Sequence, residues 1–273
     1  MKIRCASIIL SFLILLQPTA PAQSVEYRIE HCLSGCPVGS DSDSHLVLRP
    51  IYALSYNIKN KVADWVAYKV SAATIGIASN LSRLPVADNF ISETLEVADF
   101  EGADEQGLVL SRFVPLVNFA GTPYWSDANF LTNTVARNSN LNQGAWYGLE
   151  WAIRNLANRE AEVFIITGPI YRNDGGELKL ASAKQHKVPD AFFKIVMTDR
   201  NRGAAFILEQ DSPVHVHHCD LTAEIAEIES LTGLEFFPNS SGSIIQPLDA
   251  NLGCREQRRL NRPREFRREN NRP

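Results

Sequence analysis

The chain has 273 residues and a formal net charge of −4. After the first two dozen residues no apolar run is long enough to cross a bilayer, no segment repeats at a fixed period, and no Gly/Ser-rich linker divides the chain. A helical membrane protein and a repeat array are therefore excluded, and one domain of about 250 residues is expected.

Lys2 and Arg4 precede an apolar stretch, Ala6 to Leu16, and Ala20-Pro21-Ala22 offers small residues for cleavage. This is the pattern of a secretory signal, too short for a spanning helix. Residues 1–22 are read as that signal, with cleavage after Ala22. The expected product is soluble and secreted or periplasmic, with no membrane contact once the signal is gone. Residues 23–254 are read as the domain and 255–273 as a tail.

Four cysteines remain after processing: Cys32, Cys36, Cys219 and Cys254. An even count in an exported protein reads as two disulfides. Cys32 and Cys36 are close enough for a small local loop, which would leave Cys219 and Cys254 to join. A four-cysteine zinc site is the alternative, although the spacing suits it poorly.

Ile51 to Tyr56 and Asp64 to Val70 are rich in β-formers and read as a hairpin. Ser71 to Asp99 is mixed and reads mostly as loop. Asn140 to Ala157 is the strongest helix, capped by Asn140 with Gln143 in a capping-box position. Leu141, Ala145, Leu149, Ala152 and Leu156 give it one apolar face. Ala161 to Ile166 is a buried strand ending at Gly168-Pro169. Ala191 to Met197 and Ala204 to Leu208 are strands joined by a turn. Thr222 to Leu231 is a second amphipathic helix, stopped by Gly233. Hairpins with intervening helices imply an α+β domain on an antiparallel sheet. The tail, with eight arginines against three glutamates, reads as a disordered, solubilising end, the alternative being contact with a polyanion such as nucleic acid or an anionic membrane surface.

Asn142, Trp146, Glu150 and Arg154 recur every four residues and form one slowly drifting ridge on the first helix. Glu150 and Arg154 stand in the favourable order for an i,i+4 ion pair. A neutral asparagine oxygen can bind Mg²⁺ while leaving the remaining coordination to water and phosphate. A separate base would then activate the attacking water. By spacing alone, Asn142 reads more simply as a helix-start residue and Glu150–Arg154 as a solvated pair.

A set of segments, in order along the chain, changes that weighting. They are YALSYN (Tyr52 to Asn57), ADWVAY (Ala63 to Tyr68), FAGTPYW (Phe119 to Trp125), NLNQGAW with LE (Asn140 to Glu150), TGPIY (Thr167 to Tyr171) and EIESLTGLEFFP (Glu227 to Pro238). Together they resemble the DNA/RNA non-specific endonucleases, secreted nucleases of the ββα-metal superfamily. The resemblance implies a central antiparallel sheet flanked by helices, a ββα-metal core, and phosphodiester hydrolysis dependent on Mg²⁺, with Mn²⁺ as a substitute. It implies Asn142 as the direct metal ligand, Glu150 as holder of a metal-bound water, and Arg154 as support for the scissile phosphate. Asn133, in FLTN, would position the active-site loop, and Arg83 would be a phosphate-binding arginine. DNA or RNA would be the partner and a homodimer the assembly. The cysteines fit the family's two-disulfide pattern, Cys32–Cys36 and Cys219–Cys254.

One departure stands out. Where the family carries Asp-Arg-Gly-His, this chain reads Val109-Leu110-Ser111-Arg112, with the flanks still aligned. The family's histidine takes a proton from water; arginine stays charged and cannot. Loss of a general base alone costs about 10²–10⁴-fold. The segment His215-Val216-His217-His218-Cys219 would place His215 and His217 on one strand face, a metal-like spacing, but Cys219 is better placed in a disulfide. His186 reads as loop. Two functions follow. One is an exported Mg²⁺-dependent endonuclease with weak or lost hydrolysis. The other is a pseudo-nuclease that holds nucleic acid, with Arg112 and a nearby Arg154 gripping phosphate.

Overall fold

The computed structural model describes residues 28–172, 178–184, 186–240 and 245–254; the expected signal and the arginine-rich tail lie outside them. The strands and helices run β1 (Ser44–Arg49), β2 (Tyr52–Asn57), β3 (Val62–Val70), β4 (Leu108–Arg112), β5 (Thr134–Asn138), α1 (Ser139–Gln143), α2 (Ala145–Ala157), β6 (Val163–Ile170), β7 (Ala191–Thr198), β8 (Arg202–Glu209), β9 (Thr222–Ala223), α3 (Ile225–Thr232) and β10 (Gln246–Pro247). The main sheet is ordered β1-β2-β3-β6-β7-β8, antiparallel throughout. The far edge of β8 takes β9 antiparallel and β10 parallel. β4 and β5 form a separate two-stranded ribbon. The expected α+β class, an antiparallel sheet with helices, is what the chain adopts. No helix among the described residues is long and apolar enough to cross a membrane.

Strand alternation divides the core in two. One face of the sheet buries Leu54, Val66, Ile165, Phe192 and Phe206 under α2 and the β4–β5 ribbon. The other buries Ala53, Trp65, Ile166, Phe193 and Ile207 under α3 and the Phe236–Phe237 segment. All five apolar positions expected on the first helix are buried. The helix therefore stands on the sheet as its 3.6-residue period requires.

Several boundaries differ from the sequence-based expectation. The first helix is two helices, broken at Gly144, and its cap is Asn138, whose side chain accepts from the Asn140 N–H at 2.9 Å. A β-carbon at position 144 would lie 2.4 Å from the Val214 carbonyl, so the chain turns there because only glycine fits. β6 runs through Gly168-Pro169 to Ile170. Its pairing with β3 ends at Thr167, while its pairing with β7 continues through Pro169 to Ile170. β1 extends the sheet outward from the expected hairpin. α3 begins at Ile225, because Thr222 and Ala223 pair with β8; Gly233 ends it in the left-handed region, as expected. His215 lies in a turn closed by Val216 N–H to the Pro213 carbonyl, so the expected strand pairing of His215 with His217 is not formed.

Candidate active site

The β4–β5 ribbon leads directly into α1 and α2, making a ββα unit against the sheet. Its register pairs Val109 with Arg137, Leu110 with Ala136, Ser111 with Val135 and Arg112 with Thr134. Paired residues share a face and neighbours alternate. Ser111 and Arg137 therefore face the helices, while Arg112 starts from the opposite face.

On the helix side, the Oδ1 of Asn142 accepts from Arg137 Nη1 at 3.0 Å and from Ser111 Oγ at 3.2 Å. Arg137 is 1% exposed. Its guanidinium lies 3.4 Å from the Trp146 ring centroid, and its Nη2 donates to the Arg112 carbonyl at 3.2 Å. Burial pulls it down to about 9, while Glu150 and Tyr68 pull it up, so it is a cation at neutral pH.

One helical turn on, Glu150 is buried and forms an ion pair with Lys194 of β7, not with Arg154. The expected i,i+4 pair is absent because Glu150 points into the sheet. Its carboxylate also accepts from Tyr68 at 3.4 Å and Asn118 at 3.5 Å. Arg154 donates to the Oδ1 of Asn118 at 3.4 Å, so it reaches Glu150 only through that amide. Lys194 is wholly buried and also sits 3.7 Å from the Trp146 ring. Burial brings it down to about 8 against the pull of Glu150, and burial with Glu150 beside it pushes Tyr68 well above the usual phenol value. Arg137, Lys194, Asn118 and Tyr68 were not singled out from the sequence. Lys194 carried a signal: a lone cation inside an apolar strand, Ala191–Thr198, must find a buried partner.

Among the described residues, the Arg112 side chain makes no hydrogen bond to Asn142 and none to Arg154. Its Nη2 donates to the Arg83 carbonyl at 2.6 Å and to Asn129 Oδ1 at 2.8 Å. Burial and the charge of Arg83 lower its guanidinium. Arg83 is exposed. Asn133 accepts from the Val114 N–H at 2.9 Å and donates to the carbonyls of Val114 and Ala128 at 3.1 and 2.9 Å. It thus pins the loop that follows β4.

The metal implied by the resemblance is tested by the chemistry around Asn142. The amide oxygen already accepts two hydrogen bonds, one from a buried cation, and the residue across from Arg137 is Val109. This donor set does not fit a divalent ion. Beside Gly148 of α2, His217, His218 and Cys219 bring ligand atoms within 4.8 Å of one another. Cys219 is joined to Cys254, His217 accepts from the Cys219 N–H, and His218 Nε2 bonds the Leu252 carbonyl. That group is structural. The expected Cys32–Cys36 disulfide is also formed.

Residues 35–243 match the family model for DNA/RNA non-specific endonucleases. The chain is 36% identical over 225 residues to a nuclease of Serratia marcescens, covering 79% of this chain and 82% of that one. It is 24% identical over 250 residues to a Nostoc nuclease, covering 85% and 88%. Its fold resembles a chain in the crystal structure of an EndoG/EndoGI complex, with a TM-score of 0.63 at 19% identity over 72% of this chain and 87% of that chain. With the match extending over most of the described sheet and the whole ββα unit, this chain belongs to the DNA/RNA non-specific endonuclease family.

Proposed function

We propose that this chain is an exported member of the family that holds DNA or RNA on the face beside half-buried Asn142 without hydrolysing it. The observation that carries this reading is the permanent cation, Arg112, at the position of the family's proton acceptor. Among the described residues no histidine hydrogen-bonds to Asn142, Glu150 or Arg112. The charge balance supports binding. Two wholly buried cations, Arg137 and Lys194, share the single carboxylate of Glu150, and Arg83, Arg112 and Arg154 add positive charge nearby. Guanidinium surplus of this kind favours phosphate oxygens. Export is supported by the N-terminal apolar run and by two disulfides, which persist in oxidising compartments.

The test is fluorescence anisotropy with labelled single- and double-stranded oligonucleotides, followed by electrophoresis of the same samples. Binding that weakens with salt, is reduced about tenfold or more by Arg83→Ala with Arg154→Ala, and leaves the oligonucleotide intact is expected. Absence of binding at low salt would remove the reading.

A further inference from the structure

We infer that Arg137 is the resident cation of this site: its guanidinium takes the oxygen of Asn142 and keeps divalent metal ions out. The inference does not depend on whether this face holds nucleic acid.

Three observations carry it. First, Arg137 Nη1 and Ser111 Oγ lie 3.0 and 3.2 Å from the Asn142 oxygen. A Mg²⁺ ion bound there would stand about 2.1 Å from the same atom and would compete with both donors for its two lone pairs. Second, Arg137 has nowhere to withdraw. It is buried between β5 and α2, lies over Trp146 at 3.4 Å and near Phe192 at 4.9 Å, and is tied to the Arg112 carbonyl. A dication at Asn142 would have to share this desolvated site with a fixed positive charge. Third, among the described residues no uncommitted carboxylate contacts Arg137 or Asn142 to offset the sum. Glu150 is engaged by Lys194, Tyr68 and Asn118, and the cross-strand neighbour of Arg137 is Val109. Arg137 thus supplies permanently the positive charge that a bound metal would supply reversibly. Its position follows from sequence: it is the penultimate residue of β5, one residue before the Asn138 cap, so the turn into α1 delivers Asn142 to its guanidinium.

The experiment is titration of the full exported protein with Mn²⁺ alone, followed by electron paramagnetic resonance, beside the Arg137→Gln/Ser111→Gly variant. The wild-type chain is expected to show no stoichiometric site below millimolar Mn²⁺. The variant is expected to gain one site, and adding Asn142→Ala to it should remove that site. Stoichiometric Mn²⁺ bound by the wild type and lost in Asn142→Ala would overturn the inference, as would a folded variant that binds no better than the wild type. Should that variant not fold, thermal unfolding of the wild type decides. An unchanged midpoint with millimolar Mn²⁺ or with EDTA supports the inference. A rise with Mn²⁺ that Asn142→Ala abolishes overturns it.

Discussion

Arg137 donates to the Oδ1 of Asn142 at 3.0 Å, so the oxygen expected to face a metal ion faces a side chain of its own ribbon. The donor lies on β5 and the acceptor in the first turns of helix that follow it. Two arginines of the ribbon, Arg112 and Arg137, are therefore read together: one stands where the resemblance expects the proton acceptor and the other donates to the expected ligand.

Restoring the quartet should not restore hydrolysis. Val109 is the cross-strand partner of Arg137. In a Val109→Asp, Leu110→Arg, Ser111→Gly, Arg112→His chain, the new carboxylate would pair with Arg137 and hold it on Asn142 more firmly. Plasmid nicking with Mg²⁺ is expected to appear only when Arg137→Gln is added. Nicking by the four-residue repair alone would show that Arg137 does not block the site.

Among the described residues, Glu150 is the only carboxylate in hydrogen-bond contact with buried Lys194. Removing one member of a buried ion pair typically costs about 3–5 kcal/mol, whereas replacing both by neutral groups of similar shape is often near neutral. Glu150→Gln should destabilise the chain by about that amount, because Lys194 and Arg137 would then face each other uncompensated. Glu150→Gln with Lys194→Met should recover most of the loss. Denaturant unfolding of the two variants gives the coupling directly.

Stability should fall as pH drops from about 7.5 to 5. Burial holds His31 below the ordinary imidazole value, helped by Lys69 and opposed by the Arg49 carbonyl and Glu30. Burial does the same to His218, helped by His217 and opposed by the Leu252 carbonyl and Asp220. With folded values below unfolded ones, the unfolded chain binds more protons in this window. The stabilisation is present above about pH 6.5 and is lost as pH falls toward the folded values. Thermal melts of wild type and His218→Gln should converge toward pH 5. Parallel curves would assign the acid loss to other groups.

The two disulfides should differ in weight. Cys219–Cys254 closes 35 residues and Cys32–Cys36 closes 4. Loop-closure entropy gives about 4 kcal/mol for the first and about 2 for the second. Serine pairs at 219/254 should lower the unfolding midpoint more than pairs at 32/36. The reverse order would mean that the N-terminal loop does more than close on itself against α3.

What the sequence made legible was local. The apolar face from Leu141 to Leu156 appears in its spacing and is buried as that spacing requires. The hairpin of β2 and β3 and the stop at Gly233 carry their own turn signals. The break at Gly144 was not legible, because its cause is the carbonyl of distant Val214. Nor was the β4–β5 ribbon. Its strands are five residues each and are separated by helical turns rather than a hairpin turn. With the ribbon unseen, Arg137 has no visible neighbour, and the alternation that starts Arg112 on the face opposite Ser111 is not visible either. Glu150 was paired with Arg154 by spacing, and only the three-dimensional approach of β7 shows that Lys194 is its partner.

The most direct check of lost hydrolysis is incubation of the purified exported protein with supercoiled plasmid and with total RNA in Mg²⁺, beside an EDTA control. Both nucleic acids are expected to remain intact over hours at micromolar protein. Degradation that requires Mg²⁺ and disappears in Asn142→Ala would contradict that expectation.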